Sequence, residues 1–469
     1  MNLVSLLEKR AEEHPDKIFL YTEGRNYTFK ELREEASRVA GFLKRKGLRK
    51  GERVAILSLN SPRFVFAFFG VMFAGGIPVP LNYLLERELE GILQDLSPSF
   101  LLLGEDFYPK KRELEGGWET ISMEDIEGES IPASFPYEIA VILYTSGTTG
   151  KPRGVILTQE NLISDIRGCL ERIRVYPEDR FAILLPLFHS FSLTTTLLTP
   201  LYAGCSTVLL PDIRYMDRIL ENLFRFRVSI FIAIPYIYQL LLKAELDSLP
   251  FRFCVSGGER LLPRVEEEFE DKFRIPLIQG YGLTETSPVV SLNPLEKEKR
   301  GSVGLPIPGV ELRIMGKEEG EIAVRGPVVM KEYWRNPQET ERVFHEGWFL
   351  TGDIGRLDEE GYLYILERKK EMIIVKGLNV YPSEVEAVIR EIPGVKECAV
   401  VGVEKGGKEI GVAFVVMEGE RSENKIHTYL RQRIAPYKIP RRIIFQEELP
   451  RLPTGKVNKR LLQASYGKG

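Results

Sequence analysis

At 469 residues the chain exceeds what a single hydrophobic core ordinarily serves, so two or three domains are expected. Its 43% hydrophobic and 28% charged residues describe an ordinary soluble globular protein. Four widely spaced cysteines without a CxxC pair exclude a disulfide framework and a zinc ribbon and point to a reducing, cytoplasmic setting, and four histidines argue against a His-rich metal centre. The net charge of −3 hides an asymmetry: residues 366–469 carry 20 Lys/Arg against 13 Asp/Glu, whereas the rest carries 44 against 54. A basic C-terminal part beside an acidic body suggests a separate domain that meets an anionic partner. With no aromatic-interleaved basic patch or nucleic-acid motif, nucleic acid is not the expected partner.

The opening residues place apolar side chains at helical spacing among Glu8, Lys9, Arg10, Glu12 and Glu13, which predicts an amphipathic helix and not a signal peptide. A strand pair around Tyr27, a helix over 29–46 closed by Gly47, a strand at 53–57, a helix after Asn60 and an extended 77–80 follow. The uncharged stretches 64–81 and 181–211 are broken by Gly75, Gly76, Pro78 and Pro80, and by Pro186, His189 and Pro200, so both read as buried core and not as membrane spans. A peripheral membrane contact stays open. Residues 104–136 are polar and aperiodic and read as a surface connection. Strands at 183–185, 207–210, 230–234 and 253–256, with a helix from the N-cap Thr158 to Arg174, continue an α/β pattern. From Gly301 the texture changes to short β runs, VELRIM, EIAVRG and YLYILE. After Leu366 strands at 372–375 and 411–417 mix with helices at 383–391 and 425–434.

Residues 144–155, YTSGTTGKPRGV, form a loop between two apolar runs. Thr145, Ser146, Gly147, Thr148, Thr149 and Gly150 offer hydroxyls and unhindered backbone N–H groups, with Lys151 and Arg153 supplying charge, a composition suited to a polyphosphate. It is not the GxxxxGK[ST] loop, because its glycines are too close and Pro152 follows Lys151. In PLFHSF, residues 186–191, His189 taken alone reads first as a satisfied core histidine and second as a group at the mouth of an apolar pocket. SGGERL, residues 256–261, lets backbone approach a flat ligand closely. QGYGLTET, residues 279–286, puts Tyr281, Thr284 and Glu285 in one bend, where an aromatic stacks on a base, a hydroxyl meets phosphate and a carboxylate holds Mg²⁺. TGD, residues 351–353, sets Asp353 in a tight turn, either a ribose acceptor or an Asx-type turn. Lys456, after Thr454 and Gly455, reads equally as a solvated lysine.

The order of these pieces decides among such readings. From end to end the chain resembles the adenylate-forming acyl-CoA synthetase superfamily, on YTSGTTGKPRGV, PLFHSF, QGYGLTET, GEIAVRGPVVMKEYW, WFLTGD, ERKKEMIIVKGLNVYPSEVE and LPTGKV. PLFHSF, SGGERL and YGLTETSPVVSLNP are most similar to long-chain fatty acyl-CoA ligases and to the acyl-carrier-protein synthetase part of bacterial acylglycerophosphoethanolamine acyltransferases.

The resemblance implies an α/β fold: a large N-terminal adenylate-forming domain with a β subdomain (1–366), a hinge (367–371) and a small mobile α+β lid (372–469). It implies a fatty acid, ATP, Mg²⁺ and CoA. A carboxylate attacks the α-phosphate to give acyl-AMP and pyrophosphate, and a thiol then displaces AMP. By resemblance, residues 145–151 hold the polyphosphate, Gly258, Glu259, Gly280, Tyr281 and Gly282 surround adenine, and Thr284 contacts phosphate. Thr145 and Glu285 serve the metal, and Asp353 and Arg368 bind the ribose hydroxyls. Lys456 bridges carboxylate and phosphate, Lys370 is the hinge, Gly377 lies by the pantetheine channel, and His189 and Phe191 line the acyl pocket. Two departures bear on this: Ser192 stands where close relatives have Gly and is expected to narrow or polarise the acyl pocket, and Glu259 replaces a small or apolar residue beneath adenine. The medium- or long-chain fatty acyl-CoA ligase is the leading reading. The alternatives are an acyl-carrier-protein synthetase docking its carrier through Lys438, Arg441 and Arg442, an aryl-CoA ligase, and a silent nucleotide-binding regulator.

Overall fold

The computed structural model describes residues 2–85, 88–114, 116–134, 137–145, 152–375, 378–405, 408–451 and 457–466. They fall into two compact units, one of Met1–Leu312, Val324–Phe349 and Glu359–Leu363, the other of Arg313–Ala323, Leu350–Asp358 and Tyr364–Gly469. Among the described residues no helix is long and apolar enough to cross a membrane.

The first unit is built on parallel sheets. In one, Ile77–Pro80, Arg53–Leu57, Phe100–Leu103 and Glu119–Ser122 run parallel. In another, Ile18–Tyr21, Ser206–Leu209 and Arg180–Ile183 are parallel, with Tyr27–Thr28 antiparallel at the edge. Ser229 N donates to Arg180 O at 2.9 Å, which brings Ile230–Ala233 beside that sheet. From there Phe253–Ser256 and Leu277–Gly282 continue in parallel, and Val289–Leu292 turns antiparallel. Buried on both faces, such strands are near-continuous apolar runs, which is why FCVS and IFIA are legible in the sequence. Strands of a parallel sheet all end on one edge, and ligands of open α/β sheets bind beyond those carboxyl ends.

Three local expectations are corrected. Residues 104–136 are not a bare connection: Glu119–Ser122 joins the first sheet, with Ile121 and Met123 buried. Four residues, three of them polar, are too few to show a period. The strand placed at 183–185 runs over Arg180–Ile183 instead. Arg180 can begin a buried strand because its guanidinium donates to Phe226 O at 2.7 Å and lies 4.5 Å from the Tyr21 ring. Finally, Ser192 is wholly buried and spends its hydroxyl on Leu185 O at 2.8 Å. It neither narrows nor polarises the apolar cavity described below.

The uncharged stretch 181–211 is core, as expected, even through its Thr194 to Thr196 run. Thr195, Thr196 and Thr199 donate to Phe191 O, Ser192 O and Thr194 O, at 2.6, 2.7 and 2.9 Å, so these three hydroxyls are absorbed by their own helix, whereas the buried Thr194 hydroxyl has no hydrogen-bond partner among the described residues. That helix widens into a π turn at Leu193–Leu198.

In the second unit Val395–Lys405 and Lys408–Met417 pair antiparallel, and Arg442–Phe445 adds in parallel. One face buries Cys398, Val400, Ala413 and Val415 beneath Pro382–Arg390 and Glu423–Arg431. The other buries Ala399, Val401, Val412 and Phe414 with Leu449 and Leu462. Pro382 sits in the first helical turn, where its missing N–H has no partner to lose.

Candidate active site

In the first unit the arms of a hairpin, Ile139–Thr145 and Arg153–Thr158, bracket the predicted phosphate loop, with Thr145 opposite Arg153. Tyr144 pins one arm by donating to Asp95 Oδ2 at 2.5 Å. Arg153, 2.7 Å from Glu339, pins the other. Ser146, Gly147, Thr148, Thr149, Gly150 and Lys151 lie outside the described residues.

Three segments at the carboxyl ends of the parallel strands converge on one cavity of about 70 Å³. After Arg180–Ile183 the PLFHSF segment is clamped by Asn60, whose Nδ2 donates to Leu185 O at 2.9 Å and whose Oδ1 accepts from Leu187 N at 2.8 Å. This sets His189 at an exposed position, its Nδ1 accepting from Phe191 N at 3.4 Å. After Phe253–Ser256, Gly257 and Gly258 turn away, Gly258 with φ of +78°. A Cβ on Gly257 would stand 2.9 Å from Phe191 Cζ, so the ring lies directly across this backbone. Leu277–Gly282 contributes Gly280, Tyr281 and Gly282, its last three residues. At Gly282 a Cβ would fall 1.7 Å from Pro288 O, which leaves room for glycine alone.

His189, Phe191, Gly258, Gly280, Tyr281, Gly282 and Thr284 all line this cavity, and its walls continue inward through Cys169, Ile173, Phe181, Ile232 and Val255. Glu259 is exposed and not part of that lining. Thr284 Oγ1 lies 3.1 Å from Ser190 Oγ. The Thr284–Thr286 turn is fixed by Thr286 Oγ1, which accepts from Leu283 N at 3.0 Å. Glu285 is held twice: its carbonyl accepts from Met330 N at 2.8 Å, and its Oε1 accepts from the Tyr333 hydroxyl at 2.8 Å. Sequence reasoning missed Ser190 and Tyr333. Tyr333 lies inside a motif that supports the resemblance, but nothing in the sequence pairs it with a carboxylate 48 positions earlier.

The hydroxyl of Thr145 and the carboxylate of Glu285, the two residues expected to serve the metal, are hard oxygen donors, which suits Mg²⁺. Among the described residues no cluster of three His, Cys, Asp or Glu forms a metal cage. That sparse donor set is what Mg²⁺ takes when substrate phosphates and waters complete its shell.

In the second unit Asp353 and Arg368 are together. Asp353 is almost fully buried, and its Oδ1 lies 2.7 Å from Arg368 Nε, while the arginine stays half-exposed. The carboxylate is set by a turn in which Asp353 N donates to Thr351 Oγ1 at 3.1 Å and Gly352 has φ of +74°. Lys369 N donates to Gly352 O at 2.9 Å, tying the turn to the segment that carries Lys370. Gly377 and Lys456 lie outside the described residues.

Behind the strand Leu277–Gly282, Glu266 is 1% exposed and accepts from Gln279 Nε2 at 3.0 Å. Burial, reinforced by Glu270 and Glu298 and opposed by Arg300, pushes its carboxyl up to about 7. A carboxyl raised above its unfolded value favours folding most below pH 4.5, and that contribution is lost as pH rises through 7. Glu266→Gln, neutral throughout, should therefore be more stable than the parent at pH 8 by roughly 2–3 kcal/mol, with the advantage fading towards pH 5. Urea unfolding at both pH values checks this, and a pH-independent difference would contradict it.

A family model described as AMP-binding enzyme matches residues 7–334. The chain belongs to the AMP-binding enzyme family. A second model, the AMP-binding enzyme C-terminal domain, matches residues 384–456. Among similar members of the family, a long-chain-fatty-acid–CoA ligase of Bacillus subtilis is 33% identical over 98% of this chain and 94% of its own length. A 2-succinylbenzoate–CoA ligase of Bacillus velezensis is 35% identical over 97% and 96%. Of solved AMP-binding enzymes, ATP-bound MatB from Rhodopseudomonas palustris superposes with a TM-score of 0.92 at 31% identity, covering 99% of both chains. The o-succinylbenzoate CoA synthetase of Bacillus subtilis in complex with ATP and magnesium ion gives 0.90 at 33%, covering 97% and 98%. These likenesses make this AMP-binding enzyme an acid–thiol ligase of the AMP-forming, CoA-ligase type with the α/β fold and smaller C-terminal domain of its relatives.

Proposed function

We propose that this ligase activates a medium- or long-chain fatty acid with ATP and Mg²⁺ and passes the acyl group to CoA, working in the cytoplasm. The observation that carries the acid preference is the lining of the cavity behind Tyr281 and His189. No Lys, Arg, Asp or Glu is among the described residues that line it. An alkyl chain gains about 0.8 kcal/mol per buried CH₂ in such a site, whereas a second carboxylate finds no counter-charge. Dicarboxylic acids are thereby disfavoured, although relatives of equal identity carry names that include 2-succinylbenzoate.

In this reading residues 145–151 cradle the polyphosphate, and Thr284 meets a phosphate oxygen. Tyr281 covers the adenine face bounded by Gly258, Gly280 and Gly282. Asp353 and Arg368 bind the ribose hydroxyls, the guanidinium holding the carboxylate at 2.7 Å. Glu285, with the Thr145 hydroxyl, would hold Mg²⁺, which when bound neutralises phosphate charge. Residues 367–371 act as the hinge, 372–469 as the lid, and Gly377 borders the path of the thiol. The buried free thiols of Cys169, Cys205, Cys254 and Cys398 suit a reducing compartment.

Acid-dependent ATP–pyrophosphate exchange tests the acid preference across octanoic, dodecanoic, hexadecanoic, ferulic, malonic and 2-succinylbenzoic acids. The expected result is strong exchange with one or more alkyl acids and background exchange with both diacids. Exchange confined to aromatic or dicarboxylic acids would overturn it. Supplying CoA or acyl carrier protein to the charged enzyme then separates the two acceptors, with CoA expected to discharge it.

A further inference from the structure

Glu285 is the one carboxylate that the proposed reading gives to the metal, and its aim is set by a chain of side chains from three separate segments of the first unit. The Tyr333 hydroxyl donates to Glu285 Oε1 at 2.8 Å. Tyr333 is 3% exposed, so its hydroxyl is shielded from water and kept on this one acceptor. Arg153, at the exit of the phosphate loop, holds its guanidinium carbon 5.5 Å from the centre of the Tyr333 ring. Glu339 in turn fixes Arg153 at 2.7 Å, both side chains being largely buried. The backbone keeps this register: Tyr333 pairs with Val155 in the antiparallel strands, and its N–H donates to Thr340 Oγ1 at 3.0 Å.

A cation beside the ring of a phenol that donates to a carboxylate polarises the hydroxyl in the direction that strengthens its hydrogen bond to that carboxylate. With Oε1 engaged, the carboxylate plane cannot spin, and Oε2 is presented in a fixed direction. We infer that Tyr333 is a positioning residue for the metal-binding carboxylate, and that the Glu339–Arg153 pair beside its ring holds it in that role. The inference rests on the proposed role of Glu285, and partners of this kind behind a metal ligand typically alter metal affinity about 10–100-fold.

The test is equilibrium binding of ATP, by titration calorimetry, over a range of Mg²⁺ concentrations with no acid or thiol present. For the parent enzyme Mg²⁺ should tighten ATP binding; if it does not, Glu285 has no metal role and the inference falls with that reading. In Tyr333→Phe, which keeps the ring under Arg153, the Mg²⁺ needed for half of the tightening should rise about tenfold or more. Its ATP affinity without Mg²⁺ and its melting temperature should remain near the parent's. An unchanged Mg²⁺ requirement in Tyr333→Phe, while the parent shows the tightening, would overturn the inference alone. Should Tyr333→Phe fold poorly, Glu339→Gln, which loosens Arg153 and leaves the hydroxyl in place, should shift the Mg²⁺ requirement in the same direction. No shift in that variant would equally overturn it.

Discussion

Replacing Lys456 with alanine is expected to lower acid-dependent ATP–pyrophosphate exchange by roughly 10²–10³-fold or more, while thioesterification of supplied acyl-AMP stays within a few-fold of the parent. The first half-reaction brings a carboxylate anion onto a polyanion, and charge accumulates on the α-phosphate oxygens as the new bond forms. A cation placed there stabilises the transition state more than the ground state, and that difference is what appears in the rate. The second half-reaction starts from acyl-AMP, where that repulsion is already overcome. The loop carrying Lys456 is held at both ends: Arg451 and Val457 form an antiparallel bridge, and Asn458 N donates to Pro450 O at 2.7 Å. Lys459, opening the next helix, anchors the far end at 2.9 Å from Glu371 and 3.2 Å from Glu386. Stopped assays of each half-reaction decide the matter, and equal loss of both would remove the assigned role.

Replacing Lys370 with proline is expected to do the converse. Exchange should stay within about threefold of the parent, and transfer from acyl-AMP to CoA should fall about 10²-fold, the scale at which a displacement of ~1 Å disables a reacting pair. Lys370 occupies the third position of the turn closed by Glu371 N donating to Arg368 O at 2.9 Å. Proline there fixes its own φ and pushes Lys369 away from the helical region, so the segment loses the torsional freedom a hinge uses. Normal overall turnover in Lys370→Pro would refute a required motion at this residue.

The parallel core was legible because its strands are short apolar runs flanked by Gly and Pro, and Phe253–Ser256 is placed to the residue. The helix after Thr158 was legible for a local reason, its capping box, in which Thr158 Oγ1 accepts from Asn161 N and Asn161 Oδ1 from Thr158 N. Glu119–Ser122 escaped because a four-residue strand at a sheet edge carries no period, and Arg180–Ile183 because its first residue is charged and finds its partners only in three dimensions. The second unit takes in Arg313–Ala323 and Leu350–Asp358, segments that no linker or change of composition sets apart in the sequence.

Of the site, Tyr281, Thr284 and Glu285 are neighbours in one turn and were read together for that reason. His189, Phe191 and Gly258 reach the same cavity from other strands, and only the order of motifs anticipated them. The Tyr333 to Glu285 hydrogen bond was invisible, since pairing across a fold leaves no mark in a single sequence. The burial of Ser192 was equally so: the hydroxyl that looks able to polarise a pocket is used by Leu185 O.

The central claim is that the acid's own oxygen attacks the α-phosphate of ATP. Incubating the enzyme with ATP, CoA and a fatty acid labelled with ¹⁸O in both carboxyl oxygens tests it directly, with mass spectrometry of the nucleotide and phosphate products. The account predicts one ¹⁸O atom in AMP, none in pyrophosphate, and acyl-CoA retaining one. Label in inorganic phosphate alongside ADP, or AMP formed without label, would contradict it.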